Sequence, residues 1–327
     1  MRPGIFSSHG LLLALFLSQI AWAEDVSGFE DISNPQQWLE RMSEAAHQLN
    51  YDGTFVYFHD GHMQAMRIVH SNNDGVERER LLSLSGPVRE VLRDSERVIC
   101  ILPDDNAVVE ENAGPSRRRP LNLPARLETL LQYYDISDAD MDRVAGHNAH
   151  KILITPKDDQ RYGHAFWLHQ QKGLLLRSEL YNEEGRVVEQ LMFTGLKFYE
   201  QVPEELLAAE THGRDVIWQR GAPKMAVQGT KNWWVSQLPA GFVLENHRRH
   251  VMSGNIQVEH LLFSDGLASV SVFIEPMSAQ QQDLVDSLRL GAVNTYRRHY
   301  LDHVITVMGE VPSRTAQRIG EAVQRIE

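Results

Sequence analysis

Arg117-Arg118-Arg119 is the longest run of like charge in the chain, and it sits between prolines in the stretch Asn112-Ala-Gly-Pro-Ser-Arg-Arg-Arg-Pro-Leu-Asn-Leu-Pro124. Guanidinium forks match phosphate and carboxylate oxygens, while three prolines in so short a stretch predict a loop. The run reads as a local anion holder or as a solvated basic tip, and the sequence leaves the two evenly matched. The other residue types able to do chemistry lack the context for it. Among fifteen histidines, His299 and His303 are four apart and His147 and His150 three apart. Neither pair sits in a His-Glu-x-x-His setting, and Arg297-Arg298 would repel a cation beside the first. Asp104-Asp105, Asp138 with Asp140, and Asp158-Asp159 all fall in polar stretches that read as solvated turns. Cys100 lies in the apolar run Val98–Leu102, where an inert buried thiol is expected because nothing nearby in sequence would stabilise a thiolate. Nucleophile-elbow and glycine-rich phosphate motifs are missing from the chain. No catalytic residue, metal ligand or cofactor-binding residue is therefore predicted.

A different signal comes from apolar residues that fail to alternate. Phe55, Val56, Tyr57 and Phe58 are consecutive, as are Phe166, Trp167 and Leu168; Val187, Val188, Leu191, Met192 and Phe193 crowd a third segment. An antiparallel sheet with one wet face alternates apolar and polar residues, so something apolar must cover both faces here. One reading is a sheet with helices packed inside its curve. The other is a partly open barrel whose hollow holds acyl chains, with Phe55, Tyr57, Trp167, Leu191 and Phe193 as candidate lining and Arg117, Arg118 and Arg119 as candidate head-group contacts.

The elements that position these residues follow from local pattern. Asn34-Pro35 predicts a capped helix start, and Trp38, Leu39, Met42, Ala45, Ala46 and Leu49 recur at helical spacing. Short β-type segments then run from Gly53 to Glu110 and from Ala149 to Phe198, divided by turns of hairpin length, which predicts an antiparallel meander. A helical stretch near 125–134 interrupts it. Residues 199–217 show no strand period and read as a linker. Beyond them lie further segments at Phe242–Met252, Ile256–Phe263, Leu267–Glu275, Thr295–His299 and Val304–Met308. Pro312 then opens a last helix. At the other end, the apolar run Leu11–Ile20, Ala21-Trp22-Ala23 and acidic Glu24-Asp25 have the layout of a secretory signal peptide cleaved after Ala23.

Composition sets the limits. With 327 residues, 42% hydrophobic and 23% charged, the chain is that of an ordinary globular protein of about two domains. One cysteine excludes an internal disulfide framework. A net charge of −12 excludes a general nucleic-acid binder. The part from Gly221 onward balances its charges, so the acidity belongs to the part before it.

Several motifs together resemble the MucB/RseB family. They are Tyr51-Asp-Gly-Thr-Phe-Val-Tyr57, Glu79-Arg-Leu-Leu-Ser-Leu-Ser-Gly-Pro-Val-Arg-Glu-Val91, Tyr133-Tyr-Asp135 and Gln160-Arg-Tyr-Gly163 in the first half. Trp234 through Leu238-Pro-Ala-Gly-Phe242, Ser264-Asp-Gly-Leu267 leading to Phe273, Gly309-Glu-Val-Pro312 and Thr315-Ala-x-Arg-Ile319 follow in the second. The resemblance implies an α+β fold, mainly antiparallel β: a LolA/LolB-like unclosed barrel over 24–198 with helices in its concavity, a linker over 199–217, and a smaller α+β domain over 218–327. It also implies a periplasmic regulator, not an enzyme, that binds the periplasmic part of a membrane-spanning anti-sigma factor. Such a regulator blocks site-1 proteolysis and is released by lipopolysaccharide or acylated lipoprotein. Trp234, Phe242 and Phe273 are then candidate anti-sigma contacts, and a homo-oligomer is left open. The alternative is a periplasmic carrier chaperone for lipids or lipoproteins, which the additional C-terminal domain disfavours.

Overall fold

The first helix, α1 (Pro35–Gln48), begins as its sequence requires. The Asn34 side chain accepts a hydrogen bond from the Gln36 amide at 2.9 Å, and proline occupies the first turn, where its missing N–H leaves nothing unpaired. Trp38, Leu39, Met42, Ala45 and Ala46 are buried along one stripe. This computed structural model describes residues 34–102, 107–112, 127–209, 217–220, 232–252, 256–277 and 287–326. Arg117–Arg119 and the expected signal peptide lie outside them. Among the described residues no helix is long and apolar enough to cross a membrane.

After α1 come β1 (Tyr51–His59), β2 (His62–Asn73), β3 (Val76–Ser83), β4 (Glu90–Arg93), β5 (Arg97–Leu102) and β6 (Ala107–Asn112). The helix α2 (Leu127–Tyr133) leads straight into β7 (Tyr134–Val144), followed by β8 (His147–Pro156), β9 (Gly163–His169), β10 (Leu175–Tyr181) and β11 (Val187–Phe198). A one-turn helix, α3 (Glu204–Leu207), and β12 (Ile217–Arg220) complete the first half. The sheet order is β12-β6-β5-β4-β3-β2-β1-β11-β10-β9-β8-β7. The chain thus enters at the centre, runs outward by hairpins to β6, crosses to the far edge at β7 and returns inward until β11 lies beside β1. Pairing is antiparallel except between β12 and β6. The end strands β12 and β7 do not pair with each other, so the sheet is not closed.

The helix α1 lies across one face of this sheet. Trp38 stacks on His150 of β8 at 4.5 Å, while at its other end the Leu49 carbonyl meets the buried His70 ring of β2 at 2.7 Å. On the opposite face α3 covers Val69, with Val202 and Leu207 packed against it. There the buried Arg80 donates to Glu90 at 2.6 Å and to the Leu206 carbonyl at 3.1 Å. Part of the expected linker is therefore packed structure, and β12 extends the large sheet.

The remaining strands are β13 (Trp233–Val235), β14 (Val243–Met252), β15 (Ile256–Ser264), β16 (Ser269–Pro276), β17 (Ser287–Leu290), β18 (Val293–Tyr300) and β19 (His303–Gly309), then α4 (Ser313–Glu321) and β20 (Val323–Arg325). Six of them form an antiparallel sheet, β14-β15-β16-β19-β18-β17, and β13 pairs with β20. Val270, Val272 and Ile274 alternate inward along β16 and pack with Ile305, Val307, Ala316 and Ile319 under α4. The fold is the expected one: a large unclosed antiparallel sheet with few helices, and a smaller sheet after it.

Two local expectations need correction. Asp138 and Asp140 do not lie in a turn. They belong to β7, an edge strand paired on one side only, whose exposed positions tolerate acidic residues; Asp138 accepts from His150 at 2.8 Å. Cys100 is half-buried, not sealed in the core, and its cross-strand neighbours are Val91 and Val109.

Candidate functional site

Strand registers decide which of the candidate acyl-lining residues share a face. Phe166, Ser178, Leu191 and Tyr57 form one row across β9, β10, β11 and β1, while Trp167, Arg177, Met192 and Val56 form the next. Side chains of adjacent rows point to opposite faces. Phe55, Tyr57, Leu191 and Phe193 therefore share the face that α1 crosses, and Trp167 lies on the other. Phe55 and Phe193 are buried with ring centres 5.6 Å apart, packed with Ala45 of α1 and with Leu174. Gly53 leaves the room for this, since a Cβ there would lie 2.4 Å from the Phe193 ring. Trp167 is clasped by cations: Lys151 and Arg177 lie 4.7 and 4.2 Å from its ring centre, and its indole N–H donates to Asp142 at 3.0 Å.

Next to the filled part of that face, one row crosses five strands: Ile68, Leu81, Val91, Cys100 and Val109. Ile68 is buried and the other four are half-buried. Among the described residues this apolar stripe is less buried than the Phe55–Phe193 cluster beside it.

The three candidate anti-sigma contacts stand in three different places. Trp234 is 46% exposed beside the buried Trp233. Phe273 lies on the face of the small sheet away from α4, stacked on His260 at 4.4 Å with the rings nearly parallel. Phe242 is buried, and its ring faces the Arg161 guanidinium at 5.4 Å.

Phe242 marks a feature that sequence reasoning missed. The loop between β8 and β9 inserts between the two sheets, and Arg161 is its centre. Its side chain is fully buried. Nε and Nη2 donate to the two oxygens of Asp158 at 2.9 and 3.0 Å, Nη1 donates to Asp265 at 2.7 Å, and Nη2 also reaches the Ala240 carbonyl at 2.6 Å. Tyr133, Tyr134 and Phe242 wall the guanidinium. Burial works against its charge, and the carboxylates of Asp158 and Asp265 outweigh that and raise its pKa. Tyr134 donates to Asp265 at 2.9 Å, and burial, with the Asp265 charge, drives its hydroxyl well above the ordinary range. Gly241 completes the fit. It has φ +86°, and a Cβ there would lie 2.4 Å from the Tyr133 ring.

Further contacts extend this seam. Asn294 donates to the Tyr162 hydroxyl at 2.9 Å and to the Val311 carbonyl at 2.8 Å, and Thr315 donates to the Gln160 carbonyl at 2.9 Å. Ala292 packs with Tyr162 and Leu180, and the Gly291 amide donates to Asp60 at 3.1 Å. Glu189 of β11 sits beside Tyr57, its hydrogen-bonding neighbour; burial, then repulsion from Glu310, pushes its carboxyl up to about 7. The Tyr57 hydroxyl is raised in turn, by burial first and Glu189 second. A cavity of about 510 Å³ opens beside the seam, lined by Ile154, Pro156, His164, Tyr181 and Arg314 among others. Tyr133-Tyr-Asp135, Gln160-Arg-Tyr-Gly163, Leu238-Pro-Ala-Gly-Phe242, Ser264-Asp-Gly-Leu267, Gly309-Glu-Val-Pro312 and Thr315 all contribute to this seam. Asp158 correspondingly anchors Arg161 and is no merely solvated turn residue.

The chain matches the family model for the MucB/RseB N-terminal domain over residues 34–211 and that for the MucB/RseB C-terminal domain over 227–324. It is 34% identical to the sigma factor AlgU regulatory protein MucB of Pseudomonas aeruginosa, over 96% of this chain and 95% of that protein. Among solved structures, MucB in complex with MucA(peri) is similar with a TM-score of 0.70 and 30% identity, covering 90% of this chain and 100% of that one. MucB alone is similar with a TM-score of 0.62 and 31% identity, covering 89% and 98%.

Proposed function

The chain belongs to the MucB/RseB family, whose members are regulatory binding proteins and not enzymes, and from that premise we propose that it is an exported, periplasmic regulator of an envelope-stress sigma factor. It binds the periplasmic part of a membrane-spanning anti-sigma factor, shields that segment from site-1 proteolysis, and is released by acylated envelope lipid or lipoprotein. The observation that carries the binding step is likeness, along nine-tenths of the chain, to MucB held by the periplasmic part of MucA.

The two halves divide the work. The part beyond residue 218 supplies the principal grip on the anti-sigma segment, with Trp234 and Phe273 offering accessible rings. The concave face of the large sheet receives acyl chains along the stripe from Leu81 to Val109, beside the packed cluster of Phe55, Tyr57, Leu191 and Phe193. Arg117–Arg119 meet the head group. Lipid releases the partner only by binding the partner-free arrangement better than the bound one.

Protection of the cognate anti-sigma factor from purified site-1 protease tests this reading. Cleavage slows as the full exported chain is added, and lipopolysaccharide restores it; Arg117–Arg119 replaced by serine keeps the protection and loses the restoration. Transfer of lipid between membranes with no protection would identify a carrier chaperone instead.

A further inference from the structure

We propose that the seam is a latch: Arg161 and Asp265 hold the two sheets in the one arrangement that grips the anti-sigma segment, and parting them releases it. The inference rests on the family reading for the identity of the partner and on the seam for the mechanism. Asp265 is the shared element. One of its oxygens closes its own turn, accepting from the amides of Leu267 and Ala268 at 3.0 and 2.8 Å. The other accepts from Tyr134 and Arg161 of the large sheet. A single carboxylate thus serves both the turn entering β16 and the joint between the sheets.

The chemistry of the seam suits a joint that opens and recloses. Its contacts are largely directional: Tyr134 and Arg161 to Asp265, Arg161 to Ala240, Asn294 to Tyr162, Thr315 to Gln160 and Gly291 to Asp60. Groups of this kind hydrate when separated, as at other polar joints between domains. A buried ion pair selects one geometry, but desolvation offsets most of its attraction, so the net hold is modest. Phe242, walled against Arg161, then acts on the partner as a positioning residue through the latch. The likeness to MucB with its partner exceeds the likeness to MucB alone at nearly equal coverage.

The test uses the full exported chain with Cys100→Ser and spin labels at Val76→Cys and Ile256→Cys, both exposed positions in separate sheets. Electron–electron resonance reads the distance distribution, and calorimetry reads affinity for the periplasmic region of the cognate anti-sigma factor. Asp265→Asn keeps an oxygen for its own turn and removes the charge that Arg161 needs. Its distances broaden and its affinity falls about tenfold, within the ordinary range of coupling between sites. Tyr134→Phe, which removes one hydroxyl and no charge, falls between the two and carries the comparison should Asp265→Asn fail to fold. Unchanged distances in both variants, or broadened distances with wild-type affinity, overturn the latch. Failure of the wild-type chain to bind the anti-sigma region overturns the partner assignment instead, and the distances still decide whether the seam is a latch.

Discussion

Two buried arginine–carboxylate pairs among the described residues do different work. Arg80 and Glu90 lie ten residues apart on neighbouring strands, with side chains 3% and 1% exposed. Arg161 and Asp265 are 104 residues apart, in the β8–β9 loop of one sheet and the β15–β16 turn of the other, both fully buried. The bond lengths, 2.6 and 2.7 Å, are nearly the same, yet the tasks differ. The β3–β4 ladder already places Leu82 opposite Glu90 and Arg80 opposite Leu92, so that pair consolidates a hairpin formed by local pairing. No ladder joins the strands around Arg161 to those around Asp265. There the ion pair and its neighbours are the connection itself, and the same chemistry moves from locking a sheet to joining two.

Breaking each pair separates these roles. Arg161→Met takes the charge partner from the fully buried Asp265, and from the half-buried Asp158 as well, and costs about 3–5 kcal/mol. Calorimetry should show the unfolding transition splitting as the sheets uncouple; a single transition shifted as a whole would mean that the seam is part of one indivisible core. Arg80→Met removes the guanidinium from one buried carboxylate, Glu90, and costs about 3 kcal/mol, the lower end of that range. Its signature is an earlier transition of the large sheet, with amide exchange rising in β3 and β4 and unchanged in β16.

The contrast also explains what could be read in advance. The hairpins from β1 to β5 and from β8 to β11 were legible because turn residues and β-branched runs alternate over short distances. The strand β7 was not, since Asp135, Asp138, Asp140 and Asp142 look like a solvated stretch and only an edge position makes such a strand acceptable. The shared face of Phe55, Tyr57, Leu191 and Phe193 depends on the pairing of Phe55 with Phe193 and Tyr57 with Leu191, and the opposite placement of Trp167 likewise depends on cross-strand register. The seam was hidden for a further reason. Asp158-Asp-Gln-Arg161 and Ser264-Asp-Gly266 are composed like exposed turns, and nothing local shows that they meet. The available signal was indirect: family motifs rich in polar and small residues, without any chemistry for them to perform, are candidates for docking surfaces.

Smaller changes sharpen the comparison within the seam. Gly241→Ala forces a methyl group toward the Tyr133 ring and strains a residue at φ +86°, costing about 1–3 kcal/mol. The loss should appear in the seam transition and leave the amide protection of β3 and β4 untouched. Loss of protection throughout the large sheet would show instead that Tyr133 supports α2 more than it supports the joint.

The gentlest probe is pH. Glu189 titrates up to about 7 in the folded chain, whereas an unfolded glutamate titrates near ~4.3. The folded state therefore binds this proton more tightly. Its stabilising contribution is complete below the unfolded value and is lost as pH climbs through about 7. His164 and His169 work the other way: burial pushes both imidazoles down to about 4, so the stability they contribute is lost as pH falls below about 6.5. The informative window is consequently about pH 7 to 8, where the histidines are mostly neutral in both states and Glu189 is not yet fully ionised in the folded one. Across that window the seam transition of the wild-type chain should move to lower temperature, and Glu189→Gln should flatten the dependence. Glu310→Gln should flatten it partly, because Glu310 repulsion is second to burial among the causes of the shift. An equal slope in all three proteins would remove Glu189 from the joint, leaving Arg161 and Asp265 to hold it without an acid partner.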